Sequence, residues 1–593
     1  MKYINRYTFL LLLITVFSIS SCKKYLDRTP LSSITSEAFY SNANEVEQAL
    51  TGVYNAFGAR TVSPGYNNPT PYYSKLDLYT EIGLERGLNG TIGSGAYNAT
   101  NGTVQELWGA FYITVQRANN LLFFMQKAQS NMSAADYNRV QAEAKILRAL
   151  AYWHLIALYG DVPFYTAPLD NAELLAPKRT SKKVIIDFLV AEMRDVAVAL
   201  PWTPTQRGRV SRGVALGTAA RLAMLDKRYT TVISLTDEIV NANVYGLNPV
   251  FQNLFRKAGQ ETNIGNEIMF YYPYGDADAG SFNYLQLVQG SRNQGGQSSH
   301  FPTQFLVDLF ECRDGLNIAQ SPLYNPAQPN QNRDPRMAQT VIVPGDTSIV
   351  QGQTSIVFNF FDRLQTQFNP TTRQIIFSTV ANQDSANPFG PRQNGGGNLW
   401  KKYCQDRDIN GTAGNTYRVG WVYMRYAEIL LLNAEAKLEN GSPATEVATI
   451  VNRVRTRAGM PNVSAAVLSN ANAMKQLVRR EKTVELANEG LHLADMRRWD
   501  DGAYAAKVMA VQIYGQPSCR MQLVAGVGLQ FTVPAPPPTF DPVLLVPISW
   551  PNGDALRLKR ELRIFNANQH ILCPIPQVDV DRSNNSLTQN PNW

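Results

Sequence analysis

A series of paired helical segments with continuous apolar faces constrains this chain most strongly. The longest segment starts near Ser133 and continues to Tyr159. Its apolar positions recur three or four residues apart and are Ala144, Leu147, Ala151, Leu155 and Leu158. Ser133 followed by Asp136 is typical of a helix start, and Gly160 is expected to end the helix. Because such a stripe must be buried against neighbouring helices, the sequence predicts a mainly α fold.

Further segments with helical periodicity occur on both sides of a long central region. They cover residues 38–54, 104–128, 184–200, 214–225, 229–240, 422–438, 444–457 and 471–488. Short linkers at residues 226–228 and 440–443 join two of the pairs, which resemble tetratricopeptide units. The match to a strict 34-residue repeat is loose, so an unrelated helical bundle is the alternative.

The regions between the helices are rich in Gly, Asn, Pro and aromatic residues. In residues 245–420, short apolar runs such as Ile268-Met269-Phe270-Tyr271-Tyr272 and Ile375-Ile376-Phe377 predict strands or buried loops. Long loops in compact domains are functional or disordered, and the aromatic content argues against disorder. We therefore predict a helical scaffold (37–244, with a loop insertion at 60–103), a loop-rich ligand-binding subdomain (245–420) and a helical C-terminal region (421–593, with a Pro-rich insertion at 512–551).

The N-terminus has the order of a secretory signal. Lys2 and Arg6 precede an apolar run at residues 9–17, and small residues lead to Cys22. The run is too short to span a bilayer, which needs about 20 apolar residues. Ile19-Ser20-Ser21-Cys22 resembles the lipobox of bacterial lipoproteins, which implies a signal peptide at 1–21, lipid attachment at Cys22 and a tether at 22–36. The alternative is an ordinary cleaved signal in which Cys22 stands by chance.

Charge and cysteine content exclude several kinds of partner. The formal net charge of +8 is spread over 593 residues with both signs interspersed, so no nucleic-acid partner is expected. Cys312, Cys404, Cys519 and Cys573 form no C-x-x-C arrangement, so no zinc site is expected. Gly395-Gly396-Gly397 lacks the following Lys and helix of a phosphate-binding loop, and no cofactor is expected. One or two disulfides and isolated thiols both remain open.

Charged residues at helical spacing pose a choice between structure and catalysis. They are Arg148, Arg425, Glu428, Glu435, Glu481, Glu485 and Glu489. Partly buried Arg–Glu pairs that fix helix register are the favoured interpretation, and a catalytic carboxylate pair is the rival. The four histidines lie in no hydrolase or zinc motif, so we expect no catalytic residues.

Binding by aromatic loops is the better hypothesis. Sugars stack their C–H faces on aromatic rings, and their hydroxyls need amide, carboxylate or guanidinium partners. Such mixtures lie on the loops, where binding residues concentrate. The predicted ligand-binding residues are Tyr66, Tyr72, Tyr73, Tyr97, Asn98, Tyr272, Tyr274, Arg292, Asn293 and Trp400. The alternative for each ring is that it anchors its own loop, whereas Trp108, Trp153 and Trp499 are expected in the core.

Several motifs together resemble the SusD/RagB family of Bacteroidetes outer-membrane lipoproteins. In chain order they occupy residues 24–27, 108–119, 143–163, 425–436, 452–461, 485–499, 574–576 and 589–593. The sequence departs from the family pattern at Lys482, His492, Cys573 and Asn592.

The resemblance implies a right-handed tetratricopeptide-like superhelix with a loop-rich second subdomain. It also implies an outer-membrane location facing the cell exterior and a partner, a SusC-type TonB-dependent transporter. The protein would capture an oligosaccharide or polysaccharide and deliver it without covalent chemistry. A peptide ligand, a surface glycoside hydrolase and a scaffold that binds only protein are the alternatives.

Overall fold

The structure is a computed structural model. It describes residues 39–58, 60–61, 70–86, 92–170, 175–274, 285–350, 354–369, 371–372, 374–404, 419–524, 528–534, 536–584 and 586–593. Cys22 and Tyr66 lie outside the described residues. No helix in the described part of the chain is both long and apolar enough to cross a membrane.

Long helices form the scaffold. They are α1 (Ala43–Phe57), α2 (Gly102–Phe124), α3 (Ala134–Tyr159), α4 (Lys182–Ala197), α5 (Arg212–Leu225), α6 (Tyr229–Asn241), α7 (Tyr426–Glu439), α8 (Ala444–Arg457) and α9 (Ala471–Leu486). At the start of α3, Oγ of Ser133 accepts from the Asp136 N–H at 3.0 Å. At its end, Gly160 has a φ of 74°, a conformation that favours glycine. Both predicted ends of this helix are confirmed.

Neighbouring helices pack side by side along the scaffold. Helix α2 packs on α3, α4 on α5 and α5 on α6; α7 then packs on α6, α8 and α9. Gly217 lets α5 approach Met424 and Ile429 closely, since a Cβ there would lie 2.5 Å from the Met424 sulfur. The predicted mainly α, tetratricopeptide-like fold is confirmed.

Strands are short and antiparallel. They are β1 (Arg60–Thr61), β2 (Thr70–Pro71), β3 (Gly83–Glu85), β4 (Val162–Pro163), β5 (Arg179–Thr180), β6 (Ile268–Tyr272), β7 (His300–Pro302), β8 (Val341–Ile342), β9 (Thr347–Val350), β10 (Thr354–Val357), β11 (Leu364–Asn369), β12 (Gln374–Ala381), β13 (Leu399–Trp400), β14 (Trp421–Arg425), β15 (Gln512–Pro517), β16 (Met521–Val524), β17 (Gly528–Phe531), β18 (Thr539–Phe540), β19 (Pro547–Ser549) and β20 (Arg557–Leu562). Strands β12-β11-β10-β9 form a four-stranded sheet, and the others pair in twos.

Two predictions of local structure are wrong. The segment predicted as a helix from Val422 begins as strand β14, which pairs with β6 so that Trp421 lies opposite Tyr272, and helix α7 starts only at Tyr426. The insertion at 60–103 is not irregular throughout, because Tyr72–Tyr79 forms a 3₁₀ helix whose Leu76 and Leu78 are buried. In both places, long-range packing determines the local structure.

Three tryptophans predicted in the core are buried. Trp108, Trp153 and Trp499 are 7%, 5% and 2% exposed. They belong to one apolar cluster to which all three predicted regions of the chain contribute. The predicted region boundaries stay a prediction.

The charged residues of the helical segments form a buried ionic network. Arg425 binds Oε1 of Glu485 at 2.7 Å and Oε2 of Glu489 at 2.7 Å, and Arg336 also binds Glu485, at 3.1 Å. Arg148 holds Glu192 through one Nη at 2.7 and 2.9 Å. The structural interpretation of these pairs is confirmed, with partners drawn from distant elements.

Residues that depart from the family pattern also have partners. Lys482 binds Glu435 at 3.0 Å and Asp495 at 2.9 Å, and Nε2 of His492 lies 2.7 Å from Glu81. Four cysteines are free thiols: Cys312, Cys404, Cys519 and Cys573.

Candidate functional site

Four of the predicted tyrosines lie near one another around the buried ring of Tyr423, where the loops meet the helices. They are Tyr72, Tyr73, Tyr272 and Tyr274. The Tyr72–Tyr79 helix carries Tyr72 and Tyr73, whereas Tyr272 ends β6 and Tyr274 follows it by two residues. The rings of Tyr73 and Tyr423 are 4.6 Å apart, and those of Tyr272 and Tyr274 are 5.1 Å apart. Burial, the largest influence, raises the pKa of Tyr423 well above its usual value, and the nearby Tyr73, Tyr274 and Tyr272 raise it further.

This tyrosine cluster is largely interior. Tyr73 and Tyr274 are 3% and 5% exposed, and the Tyr73 hydroxyl donates to the Phe57 carbonyl at 2.8 Å. Tyr72 and Tyr272 are half-buried. The cluster therefore supports the loops, and only Tyr72 and Tyr272 leave part of a ring at the surface.

Arg292 and Asn293 lie in a second group, centred on Asp384. The Asp384 carboxylate accepts from the Ser291 hydroxyl at 2.5 Å, the Arg292 N–H at 2.8 Å and the Asn293 amide at 2.8 Å. Burial raises the pKa of Asp384 to about 6, against the lowering effect of these hydrogen bonds. The group ties the turn at residues 291–293 to the helix Gln383–Ala386, so its polar side chains are engaged in holding the loops.

An exposed aromatic ring lies beside this group. Phe389 is 56% exposed. The guanidinium carbons of Arg86 and Arg292 lie 5.2 and 5.7 Å from its ring centroid. Arg292 also donates to the Phe389 carbonyl at 3.1 Å, and both arginines donate to the Gln297 carbonyl, at 3.0 Å from Arg86 and 2.6 Å from Arg292. We call Phe389, Arg86 and Arg292 the Phe389 platform.

Sequence reasoning found one member of the platform and missed two. Arg292 was predicted, whereas Phe389 and Arg86 were not. The available signal was Asn387-Pro388-Phe389-Gly390, an aromatic residue between turn-forming residues. Nothing local indicated that Arg86, at the end of β3, would reach it.

The other predicted residues lie elsewhere. Tyr97 is half-buried against Trp593, 4.8 Å between centroids, and exposed Asn98 accepts from the Thr100 N–H at 3.0 Å within its own turn. Trp400 is 0% exposed and lies in β13 opposite Val341. Ligand contact by the ten residues stays a prediction, and burial counts against Tyr73, Tyr274 and Trp400.

Carboxylates of the helical motifs are enclosed by cations. Glu435 binds Arg498 at 2.6 Å and Lys482 at 3.0 Å and also accepts from the Trp499 indole at 2.7 Å. Burial alone would raise the pKa of Glu435, but Arg498 and Lys482 hold it well below its usual range. A general acid needs a raised pKa, so this arrangement suits helix packing rather than proton transfer.

Comparisons with known proteins cover nearly the whole chain. A family model described as "SusD family" matches residues 249–593, and one described as "Starch-binding associating with outer membrane" matches residues 24–224. SusD-like protein P25 of Formosa agariphila is 22% identical over 511 residues, 82% of this chain and 88% of that protein. SusD-like protein P2 of the same organism is 24% identical over 509 residues, 83% of this chain and 90% of that protein.

Solved structures show the same fold. A SusD-like carbohydrate binding protein from Bacteroides fragilis has a TM-score of 0.71 at 21% identity, covering 92% of this chain and 99% of that chain. A laminarin binding SusD-like protein has a TM-score of 0.56 at 16% identity, covering 93% of this chain and 100% of that chain. At these identities the likeness shows the fold alone.

Proposed function

The chain belongs to the SusD family, and on that premise we propose that it captures an oligomeric nutrient, most directly a glycan. We further propose that it is anchored through Cys22 in the outer membrane, faces the cell exterior and passes its ligand to a SusC-type TonB-dependent transporter. The outer-membrane association named in the second family model supports this location. The carbohydrate and laminarin binding named for two similar structures supports a glycan ligand.

The Phe389 platform is the observation that carries the glycan proposal. An exposed ring offers an apolar face on which the C–H face of a sugar ring can stack. The guanidinium groups of Arg86 and Arg292 lie 5.2 and 5.7 Å from its centroid, and a guanidinium group is a planar donor to hydroxyl oxygens. A rigid ring presented at a fixed angle loses little entropy on binding.

The network behind the platform explains its rigidity. Asp384 fixes the turn that carries Arg292, and Arg292 in turn binds the Phe389 carbonyl. Arg86 comes from the insertion at 60–103, whereas the other members come from the region at 245–420. The proposed ligand site therefore lies where these two predicted regions meet.

We propose that capture breaks no covalent bond. A glycoside hydrolase needs two carboxylates on opposite sides of the scissile bond, one of them with a raised pKa. Beside the Phe389 platform, Asp384 has a raised pKa, but its oxygens are engaged by Ser291, Arg292 and Asn293 and it is 1% exposed. Its role is therefore to position the platform.

An array of polysaccharides and peptides, probed with protein beginning at residue 23, tests the proposal. The wild type is expected to bind at least one glycan, and Phe389→Ala is expected to weaken that binding at least about ten-fold, or 1.4 kcal/mol. Phe188→Ala is the matched control, because Phe188 is also exposed (42%) but lies on scaffold helix α4. Binding to peptides alone, or equal binding by the wild type and Phe389→Ala, would contradict the proposal.

A further inference from the structure

A cavity of about 740 Å³ lies along helix α2 on the scaffold. Its volume is in the range of small-ligand pockets, about 300–1,000 Å³. Its floor is one face of the helix, with residues spaced three or four apart: Gln105, Gly109, Tyr112, Gln116 and Asn120. The opposite wall comes from residues 165–169 and from the C-terminal helix Gln577–Arg582. We call this cavity the α2 cleft.

The walls of the cleft are held rigidly. The Tyr112 hydroxyl donates to the Pro163 carbonyl at 2.8 Å. The Asn119 amide donates to the carbonyls of Tyr165 and Ala167 at 3.0 and 3.3 Å, while Arg148 donates to its oxygen at 2.7 Å. The half-buried ring of Tyr112 and the backbone of Tyr165 are thus held in place before any ligand arrives.

In contrast, the amides on the floor are not used by the fold. Within the described part of the chain, the side chains of Gln105, Gln116 and Asn120 make no hydrogen bond. Asp579 and Arg582 add one charge of each sign at the opposite wall, so the lining has no net charge. The cleft therefore combines fixed aromatic rings with amides that both donate and accept.

These features favour a neutral saccharide as the occupant. A sugar hydroxyl both donates and accepts, as a side-chain amide does, and its C–H face matches a tyrosine ring. A proline-rich peptide also fits aromatic grooves, but proline has no N–H, so such a peptide would leave the amide oxygens unmatched. Backbone groups of the floor are bonded within the helix, so they offer nothing to pair with an extended peptide.

We propose that the α2 cleft is a second saccharide-binding subsite, separate from the Phe389 platform. This proposal rests on the proposed glycan-binding function. Two subsites on one rigid scaffold let a long glycan be held at two points, which raises its overall affinity beyond that of either site.

Gly109 allows a selective block. A Cβ at Gly109 meets no atom within 4 Å, so a side chain can start at this lining position, and Gly109→Trp is expected to occupy the cleft. Gly52 in α1 also has open space at its Cβ and does not line the cleft, so Gly52→Trp is the matched control. Tryptophan is a better helix former than glycine, so both variants are expected to fold.

Saturation-transfer NMR of protein beginning at residue 23 supplies the test. The probes are maltose, cellobiose, laminaribiose and xylobiose, together with a proline-rich peptide. We expect at least one disaccharide to bind, and its affinity to fall at least about ten-fold in Gly109→Trp but not in Gly52→Trp. Binding that remains in Phe389→Ala is expected to disappear when Gly109→Trp is added.

Each other outcome overturns the α2 cleft subsite. The cleft is not a saccharide site if no disaccharide binds, or if Gly109→Trp and Gly52→Trp have the same affinity for the disaccharide. It is also not a saccharide site if only peptide binding is weakened in Gly109→Trp. If the single variant Phe389→Ala already lost all disaccharide binding, the α2 cleft would not be a subsite, and the proposed function would still stand. If the protein bound no glycan on the polysaccharide array, the proposed function itself would be contradicted.

Discussion

The guanidinium of Arg86 lies 5.2 Å from the ring centroid of Phe389. This contact connects two segments that are far apart in the sequence, one after strand β3 and the other in the loop before the helix Pro391–Asn394. A cation over the ring orients it, and Phe389 nevertheless remains 56% exposed. The ligand site proposed for this protein depends on that arrangement.

Replacing Arg86 by alanine is expected to weaken glycan binding while leaving the melting temperature nearly unchanged. The cation–π contact of Arg86 with the exposed Phe389 ring contributes about 0.5–1 kcal/mol, which corresponds to roughly two- to five-fold in affinity. Calorimetric titration with the glycan selected on the array measures this change. Arg117→Ala is the control, because Arg117 is exposed on α2 and donates to the Gly52 carbonyl. Equal affinities for Arg86→Ala and the wild type would exclude a role for Arg86.

Asp384→Asn is expected to change how stability depends on pH. Burial raises the pKa of Asp384 to about 6, above the value of about 3.9 in an unfolded chain. The folded protein therefore holds a proton on Asp384 between these values. Its contribution to the free energy of unfolding is fully present below about pH 4 and is lost as the pH rises through about 6.

Denaturant unfolding between pH 4 and 7 measures this contribution. The stability difference, wild type minus Asp384→Asn, should fall with rising pH by up to about 3 kcal/mol. Asp136→Asn should give a nearly flat difference over this range, because the Ser133 hydroxyl lowers the pKa of Asp136 and its contribution is lost only as the pH falls below about 4. A flat difference for Asp384→Asn would contradict the assigned direction.

Glu485→Gln is expected to destabilise the fold strongly. Glu485 is 0% exposed and binds Arg425, Arg457 and Arg336. Loss of its charge removes an anion that three buried guanidinium groups share and leaves an excess positive charge among them, at a cost of about 3–5 kcal/mol. Guanidinium chloride unfolding provides the measurement, and Glu238→Gln is the control, because its pair with Arg212 is about one-third exposed and contributes about 0–1 kcal/mol. Similar losses in the two variants would argue against a structural role for the network.

Trp400→Ala separates ligand contact from packing at a predicted binding residue. Trp400 is fully buried, so its truncation is expected to lower the free energy of unfolding by about 3–5 kcal/mol. Trp400→Phe keeps most of the volume and should lose less. If Trp400→Ala instead lost glycan binding at an unchanged melting temperature, Trp400 would belong to the ligand site after all.

The helix positions could be predicted from the sequence because apolar spacing and the residues at the helix ends, which determine them, are local features. Helix α8, Ala444–Arg457, has the predicted bounds, since Pro443 precedes it and Gly459 follows with a φ of 74°. Strand β14 was not predicted because its apolar residues are followed immediately in the sequence by those of α7, so the two segments read as one helix. Only pairing with β6, far away in the sequence, makes this segment a strand.

The ligand site was less predictable, because a loop aromatic residue shows no periodicity that distinguishes an exposed ring from a buried one. Trp400 and Phe389 both stand in Gly- and Asn-rich loops, yet one is 0% and the other 56% exposed. Trp400 is buried because β13 pairs with β8, and Phe389 is exposed because Arg292 fixes its backbone at the surface. Both causes are long-range contacts.

Equilibrium titration of the array-selected glycan into the wild type and Phe389→Ala, with the glycan's chain length checked afterwards, tests the central claim most directly. We predict saturable binding by the wild type, at least about ten-fold weaker binding by Phe389→Ala at an unchanged melting temperature, and a glycan of unaltered length. Equal affinities, or a glycan shortened by incubation with the wild type, would contradict capture by a loop-borne aromatic ring without bond cleavage.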